Sequence, residues 1–126
     1  MGARRYRLGC AGADLITDAQ RPKLGAFMAN VVWVEQVGAR AFASLAHKAD
    51  APVLADIYRY FHAEEQRHAN AELALMKRWD MLDGARVPEP DISIRLAIEW
   101  LDRFADGLSL PIFASAIPML EVALVS

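Results

Sequence analysis

The sequence has one cysteine, Cys10, three histidines and a formal net charge of only −2. A single cysteine cannot form an intrachain disulfide, so we assume a reducing compartment and expect a cytoplasmic protein. The basic residues are scattered, and only Arg4, Arg5 and Arg7 cluster, so no basic surface is present for nucleic acid. The single cysteine excludes an intrachain disulfide scaffold, and the scattered basic residues argue against a nucleic-acid-binding domain.

Long apolar runs are also missing. No run reaches the roughly 20 residues that a membrane-spanning helix needs, and no apolar core precedes a small-residue cleavage site at the N-terminus. We therefore expect a soluble protein with no membrane partner. With 126 residues, of which 55% are apolar, the chain suits one well-buried domain and not a disordered one.

Turn and capping residues divide the chain into helices. Thr17 and Gln20 have capping-box spacing, so a first helix is predicted from about Asp18 to about Lys48. Asp50 and a first-turn proline follow, and the second helix is predicted to end near Leu82. The predicted divisions are an irregular arm, a helix hairpin, and a crossover helix with a third bundle helix: 1–17, 18–83 and 84–126.

Two further helices are predicted in the last division. One begins at Asp91 or Ser93, carries an apolar face and stops at Gly107. The other begins near Leu110, directly before a proline, and continues to the C-terminus with a kink at Pro118. Its strongly apolar end suggests a fragment, or burial against a partner.

Both helices of the hairpin repeat seam residues in alternating steps of four and three, which is typical of a packed helix bundle. The first seam is Leu24, Met28, Val31, Glu35, Gly38, Phe42 and Leu45. The second is Leu54, Tyr58, Phe61, Glu65, His68, Glu72, Leu75, Trp79 and Leu82. Ionisable residues therefore occupy positions where apolar core residues are expected.

The ionisable seam residues predict a metal site. Glu65 and His68 are neighbours on one helical face, and Glu35 lies at nearly the same distance from the interhelix turn as Glu65. Two carboxylates and an imidazole in an apolar seam are costly without a counter-charge, which a bound cation supplies. The alternatives are a buried hydrogen-bonded cluster or a seam that is partly open to water. Carboxylates with histidine suit iron or manganese better than structural zinc.

A Glu on the first helix followed by Glu-Glu-x-x-His on the second resembles the first half of the ferritin-like di-iron carboxylate superfamily, whose bundles take Glu from two helices and Glu-x-x-His from two others. The resemblance implies an all-α antiparallel bundle with a long crossover. It implies two iron ions, or manganese, held by Glu35, Glu65 and His68, with Glu65 bridging. It favours Glu121 over Glu99 as the ligand from the third bundle helix.

The family's second Glu-x-x-His is absent, because all three histidines precede residue 69. Three explanations stay open. The chain is a fragment of the bundle, its site is completed by a symmetric partner as in two-helix encapsulated ferritin-like proteins, or the site is vestigial. We therefore expect a bundle that is incomplete in this chain.

Other residues near the predicted site have two readings each. Glu72 orients His68 one turn away, or belongs to a solvated face. Tyr58 takes part in redox chemistry, or is core. Gly38 leaves space for substrate or dioxygen near the metals, or allows close helix packing. Glu64 is expected to be solvated at the edge of the seam, or replaces Glu65 as a ligand if the helix is rotated slightly.

Three functions follow. The first is a di-iron oxidoreductase that binds and reduces dioxygen and oxidises an unknown small-molecule substrate, in a homo-oligomer such as a dimer. The second is a ferroxidase or iron-storage protein. The third is a metal-free helical interaction module whose apolar C-terminal segment docks onto a partner.

Overall fold

The structure is a computed structural model that describes residues 12–125, and in this range the chain is all-α, with no strand. Four helices follow one another: α1 Arg21–Lys48, α2 Pro52–Arg78, α3 Ile92–Phe104 and α4 Leu110–Val125. Short 3-10 helices occupy Ala13–Leu15 and Ala105–Gly107. Most of the predicted irregular arm, residues 1–11 with Cys10 and the arginine cluster, lies outside the described residues.

The predicted capping box forms just before α1. The backbone N–H of Thr17 donates to the side chain of Gln20 at 3.1 Å, and the N–H of Gln20 donates to the Thr17 hydroxyl at 3.2 Å. These bonds close a turn, so the regular helix begins at Arg21 and not at Asp18. The sequence identified the capping residues and placed the helix start three positions early.

Helix α2 ends at Arg78, four residues before the predicted end at Leu82. Asp80 adopts a left-handed backbone with φ of 54°. The N–H of Asp80 donates to the Lys77 carbonyl, and that of Met81 donates to the Met76 carbonyl. This is the Schellman arrangement, which usually has glycine at the left-handed position. Because aspartate occupies that position here, Gly84 was the more obvious stop signal.

Helices α1 and α2 form an antiparallel hairpin. Arg21, at the start of α1, donates to the Trp79 carbonyl after the end of α2 at 2.6 Å. Near the middle of both helices, the amide of Gln36 donates to that of Gln66 at 2.9 Å. Paired positions thus rise along one helix as they fall along the other, which brings the middles of the two helices to the same level.

Helix α3 runs parallel to α1. Asn30 bonds the Asp91 carboxylate at 2.6 Å before α3 begins, and Arg40 pairs with Asp102 near the end of α3 at 3.1 Å. The chain then turns beside Lys48, whose ammonium donates to the Leu108 carbonyl at 2.6 Å. Helix α4 therefore returns antiparallel to α1, and it continues through Pro118 without interruption.

Two apolar cores lie along α1. The larger joins the C-terminal half of α1 to α3 and α4 and surrounds Phe113, which is fully buried. The predicted face contributes Ile94, Ala97 and Leu101 from α3 and Ala105 from the 3-10 helix that follows it, whereas Ile98 is only half-buried. The smaller joins the N-terminal half of α1 to the end of α2 and includes Met28, Met76 and Leu82.

The seam of α2 is less covered than its spacing suggests. Phe61 and His68 are exposed, although Leu54, Tyr58 and Glu65 are half-buried as seam residues. The reason is that α2 packs mainly against α1, so only one side of its apolar stripe is covered. None of the helices between residues 12 and 125 is long and apolar enough to cross a membrane.

Candidate metal centre

Three of the four predicted ligands meet between the middles of α1 and α2. Glu35 projects from α1, and Glu65 and His68 project from one face of α2, three residues apart. One ligand atom from each residue lies within 4.8 Å of those from the other two. Because the helices are antiparallel and meet at this level, residues 30 positions apart in the chain converge on one point.

The Glu35 and Glu65 side chains lie together at this level of the bundle, and the pKa of Glu65 is raised. Burial raises the pKa of Glu65 from its usual 4.5 to about 7, helped by a hydrogen bond with Glu35 and by the charges of Glu35 and Glu121. A shared proton between the two carboxyl groups satisfies this arrangement in the absence of a cation. A cation placed between them would supply the positive charge in the proton's stead.

Glu121, the fourth predicted ligand, lies on α4 with an exposed side chain. It does not belong to the group of ligand atoms within 4.8 Å. Its charge nonetheless contributes to the raised pKa of Glu65, so it lies near enough to act on Glu65 through space. The structure therefore places Glu121 beside the site and Glu35, Glu65 and His68 within it.

His68 connects the cluster to the surface. Its Nδ1 lies 3.4 Å from Oε2 of Glu35, and its Nε2 lies 3.9 Å from Oε2 of Glu64. The imidazole side chain is 56% exposed. The site is therefore open to solution on the His68 side and partly shielded on the Glu35 side.

Glu64 is closer to the site than the sequence suggested. It is half-buried, forms an ion pair with Arg67 and approaches His68 one turn away. The spacing of Glu64 and His68 is that of neighbours on a helix, so this contact was readable from the sequence. The periodic seam drew attention to Glu65 and left Glu64 as a solvated edge residue.

The two residues predicted to support the ligands take different places. Glu72 is half-buried one turn beyond His68, whose ring nitrogens face Glu35 and Glu64. Tyr58 packs beside the larger core, with its ring centroid 6.3 Å from that of Phe42. The supporting roles of Glu72 and Tyr58 stay predictions.

The donor set fits a cation of the iron or manganese type. Two carboxylates and one imidazole provide oxygen and nitrogen donors, with no thiolate among them. Structural zinc sites are closed sets dominated by cysteine and histidine, which this group is not. The pKa of Glu65 is raised mainly by burial and further by the neighbouring Glu35, as expected for carboxyl groups placed together in a partly buried position.

No protein-family model, no curated protein and no solved structure matches this chain. The functional interpretation of the cluster therefore depends on the positions and chemistry of its own side chains.

Proposed function

We propose that this chain is a non-haem di-iron oxidoreductase of the ferritin-like type, with iron held by Glu35, Glu65 and His68 and approached by Glu121. The observation that carries the proposal is the convergence of three ligand atoms from facing helices within 4.8 Å. Manganese is the alternative metal, because the same donor set suits it.

The order and direction of the helices support the ferritin-like part of the proposal. The hairpin of α1 and α2 is followed by a long connection that contains α3 and runs back along α1. Helix α4 then runs antiparallel to α1 and brings Glu121 toward Glu65. A carboxylate ligand on a helix reached by a long crossover is the pattern that the superfamily implies.

The residues of this chain would bind the metal and manage protons. Glu65 would release its proton to bind iron, Glu35 would bind from α1, and His68 would bind from the exposed side. The bound iron would supply the Lewis-acid and redox chemistry that reduces dioxygen. The half-shielded position of Glu65 would keep bulk water from one side of the pair.

In such bundles two iron ions are held by Glu from two helices and by Glu-x-x-His from two others. Glu35, Glu65, His68 and Glu121 are fewer ligands than that arrangement provides. We propose that the missing donors come from a second copy in a homo-oligomer or from further residues of the protein. The half-exposed His68 imidazole supports this, because it leaves the cluster open on the side where further ligands would approach.

Iron handling is the second candidate. The exposed imidazole would let ferrous ions reach the carboxylates from solution, as oxidation for storage or detoxification requires. The two functions differ in stoichiometry, because an oxygenase retains its ions while a storage protein accumulates many.

Anaerobic titration with ferrous iron tests the proposal. The protein is dialysed against graded ferrous iron, bound iron is quantified per chain, and dioxygen consumption is then followed with and without a reductant. We expect up to two ions per chain and dioxygen uptake that depends on bound iron. Many ions per chain would favour storage, and no bound iron would leave the metal-free interaction module. A Glu99→Ala variant, which removes an exposed carboxylate of α3 outside the cluster, is the control for iron bound at surface carboxylates.

A further inference from the structure

Gly38 lies one turn beyond Glu35 on α1, opposite the Glu65 side chain. A Cβ added at Gly38 would stand 3.1 Å from Cδ, 3.3 Å from Oε2 and 3.4 Å from Cγ of Glu65. The space that a side chain would occupy at this position therefore holds the Glu65 carboxyl group. We infer that Gly38 is a positioning residue, whose missing side chain lets the Glu65 carboxyl group lie against α1 beside Glu35.

Side-chain hydrogen bonds join α1 and α2 on both sides of this contact. On one side, the amide of Gln36 donates to Gln66 at 2.9 Å. On the other, Nδ1 of His62 lies 2.8 Å from the Ala39 carbonyl, which can only accept, so Nδ1 carries the proton. A methyl group added at Gly38 would stand closer to Glu65 than ordinary van der Waals contact, so with both bonds kept the Glu65 side chain would have to give by a few tenths of an ångström.

Replacing a helical glycine by alanine normally stabilises a helix, so the effect of the Gly38–Glu65 contact can be measured as a departure from that gain. Glycine in a helix interior destabilises the helix relative to alanine, and Gly38 lies in the middle of α1. Helix α1 contains a second glycine, Gly25, where an added Cβ would meet nothing within 4 Å. The pair Gly38→Ala and Gly25→Ala therefore separates the general effect of alanine on the helix from the particular contact with Glu65.

The first experiment uses metal-free protein and does not depend on the proposed function. Gly25→Ala should raise Tm by about 4 °C, the size expected for removing one helical glycine from a domain of this length. Gly38→Ala should raise Tm by clearly less, because the new Cβ meets Glu65. In a Glu65→Ala background, Gly38→Ala should recover the full increase. Equal increases for Gly38→Ala with and without Glu65 would overturn the inference.

The second experiment rests on the proposed function and uses Mn²⁺ as the probe, measured by calorimetric titration. Gly38→Ala should weaken Mn²⁺ binding about tenfold, the lower end of the effect of losing a group that orients a ligand. Gly25→Ala should leave the affinity unchanged. A variant that is more stable yet binds metal more weakly cannot be explained by general damage to the fold.

The two experiments fail independently. If the unmodified protein binds neither Mn²⁺ nor ferrous iron, the proposed function is wrong, and the Tm comparison still decides whether Gly38 positions Glu65. If the unmodified protein binds Mn²⁺ and Gly38→Ala binds it equally well, the positioning role is wrong and the proposed function stands.

Discussion

The two sides of α1 differ in what covers them. Toward α3 and α4, α1 presents small and branched apolar residues that enclose Phe113, and Phe113 is 0% exposed. Toward α2, its middle presents Glu35 and Gly38, and Phe61 of α2, which stacks on Phe42 of α1, remains 43% exposed. The molecule thus keeps a dry core on one side of a helix and an open polar cluster on the other.

This difference separates the residues that stabilise the fold from the residues that would bind metal. Burial of apolar surface on the α3 and α4 side stabilises the fold, and the one buried side-chain polar atom without a partner among the described residues there is the Ser44 hydroxyl. On the α2 side, carboxyl groups remain close together because solvent and a shared proton lower the cost. The comparison predicts that substitutions on the first side change folding and those on the second change metal binding.

The largest expected effect is on the dry side. Phe113→Ala removes a fully buried ring and leaves a cavity, so it should lower the free energy of unfolding by about 3 to 5 kcal/mol. Phe61→Ala is the matched control, since Phe61 is half-exposed and stacks on Phe42 with ring centroids 5.2 Å apart. It should cost about 1 kcal/mol. Urea unfolding measures both.

Similar losses for the two phenylalanine variants would contradict the comparison. They would mean that the exposed part of Phe61 is buried in solution, for example against a second copy. Repeating the Phe61→Ala measurement at several protein concentrations would reveal such burial, because a dimer's stability depends on concentration.

The next effect is on the polar side. Glu65→Ala should weaken ferrous iron binding by about 100-fold, because it removes the carboxylate that faces Glu35. Glu64→Ala should weaken it by only a few-fold, since Glu64 reaches His68 at 3.9 Å and lies outside the cluster. Bound iron after anaerobic dialysis measures both affinities. Equal losses would show that α2 is rotated about its axis, so that Glu64 and Glu65 both lie beside Glu35.

Much of this fold was readable from local sequence signals. The capping box at Thr17, the proline that follows the start of α4 and the apolar face of α3 all depend on neighbouring residues. The end of α2 was not readable, because an aspartate in the left-handed conformation terminates it where glycine is the usual residue. Helix starts and ends were predictable where the residue type that usually occupies the capping position is present.

The site shows the same division. The convergence of Glu35, Glu65 and His68 follows from helical periodicity and the position of one turn. The exposure of His68 does not, because a seam indicates which face is apolar and not how many neighbouring helices cover it. The contact between Gly38 and the Glu65 carboxyl group was also out of reach, since it depends on side-chain conformation across the interface.

Substitutions of two cationic side chains, Lys48 on the dry side and Arg67 on the polar side, test the same comparison with smaller effects. The Lys48 ammonium donates to the Asp106 and Leu108 carbonyls and lies 5.5 Å from the centroid of the Phe113 ring. Lys48→Met should therefore lower the free energy of unfolding by about 1.5 kcal/mol. Arg67→Met breaks an exposed ion pair with Glu64 and should cost less than about 0.5 kcal/mol. Thermal unfolding at low and high salt would contradict this if both variants lost equally.

The smallest effect is the pH dependence of the metal-free protein. Because the pKa of Glu65 is raised from 4.5 to about 7, the folded protein holds a proton there that the unfolded chain releases. Stability from this group is therefore complete below about pH 4.5 and declines as pH rises to about 7. Glu65 is only half-buried, so solvent screening limits the change to about 1 kcal/mol.

Glu65→Gln removes this titration, and Glu64→Gln is the matched control. The free energy of unfolding, measured by urea from pH 5 to pH 8, should fall less steeply in Glu65→Gln than in the unmodified protein. Glu64→Gln should follow the unmodified protein. Parallel curves for all three would mean that Glu65 titrates normally, and the electrostatic contrast between the two sides of α1 would then be lost. Saturating Mn²⁺ should flatten the curve of the unmodified protein, because a bound cation takes the place of the proton.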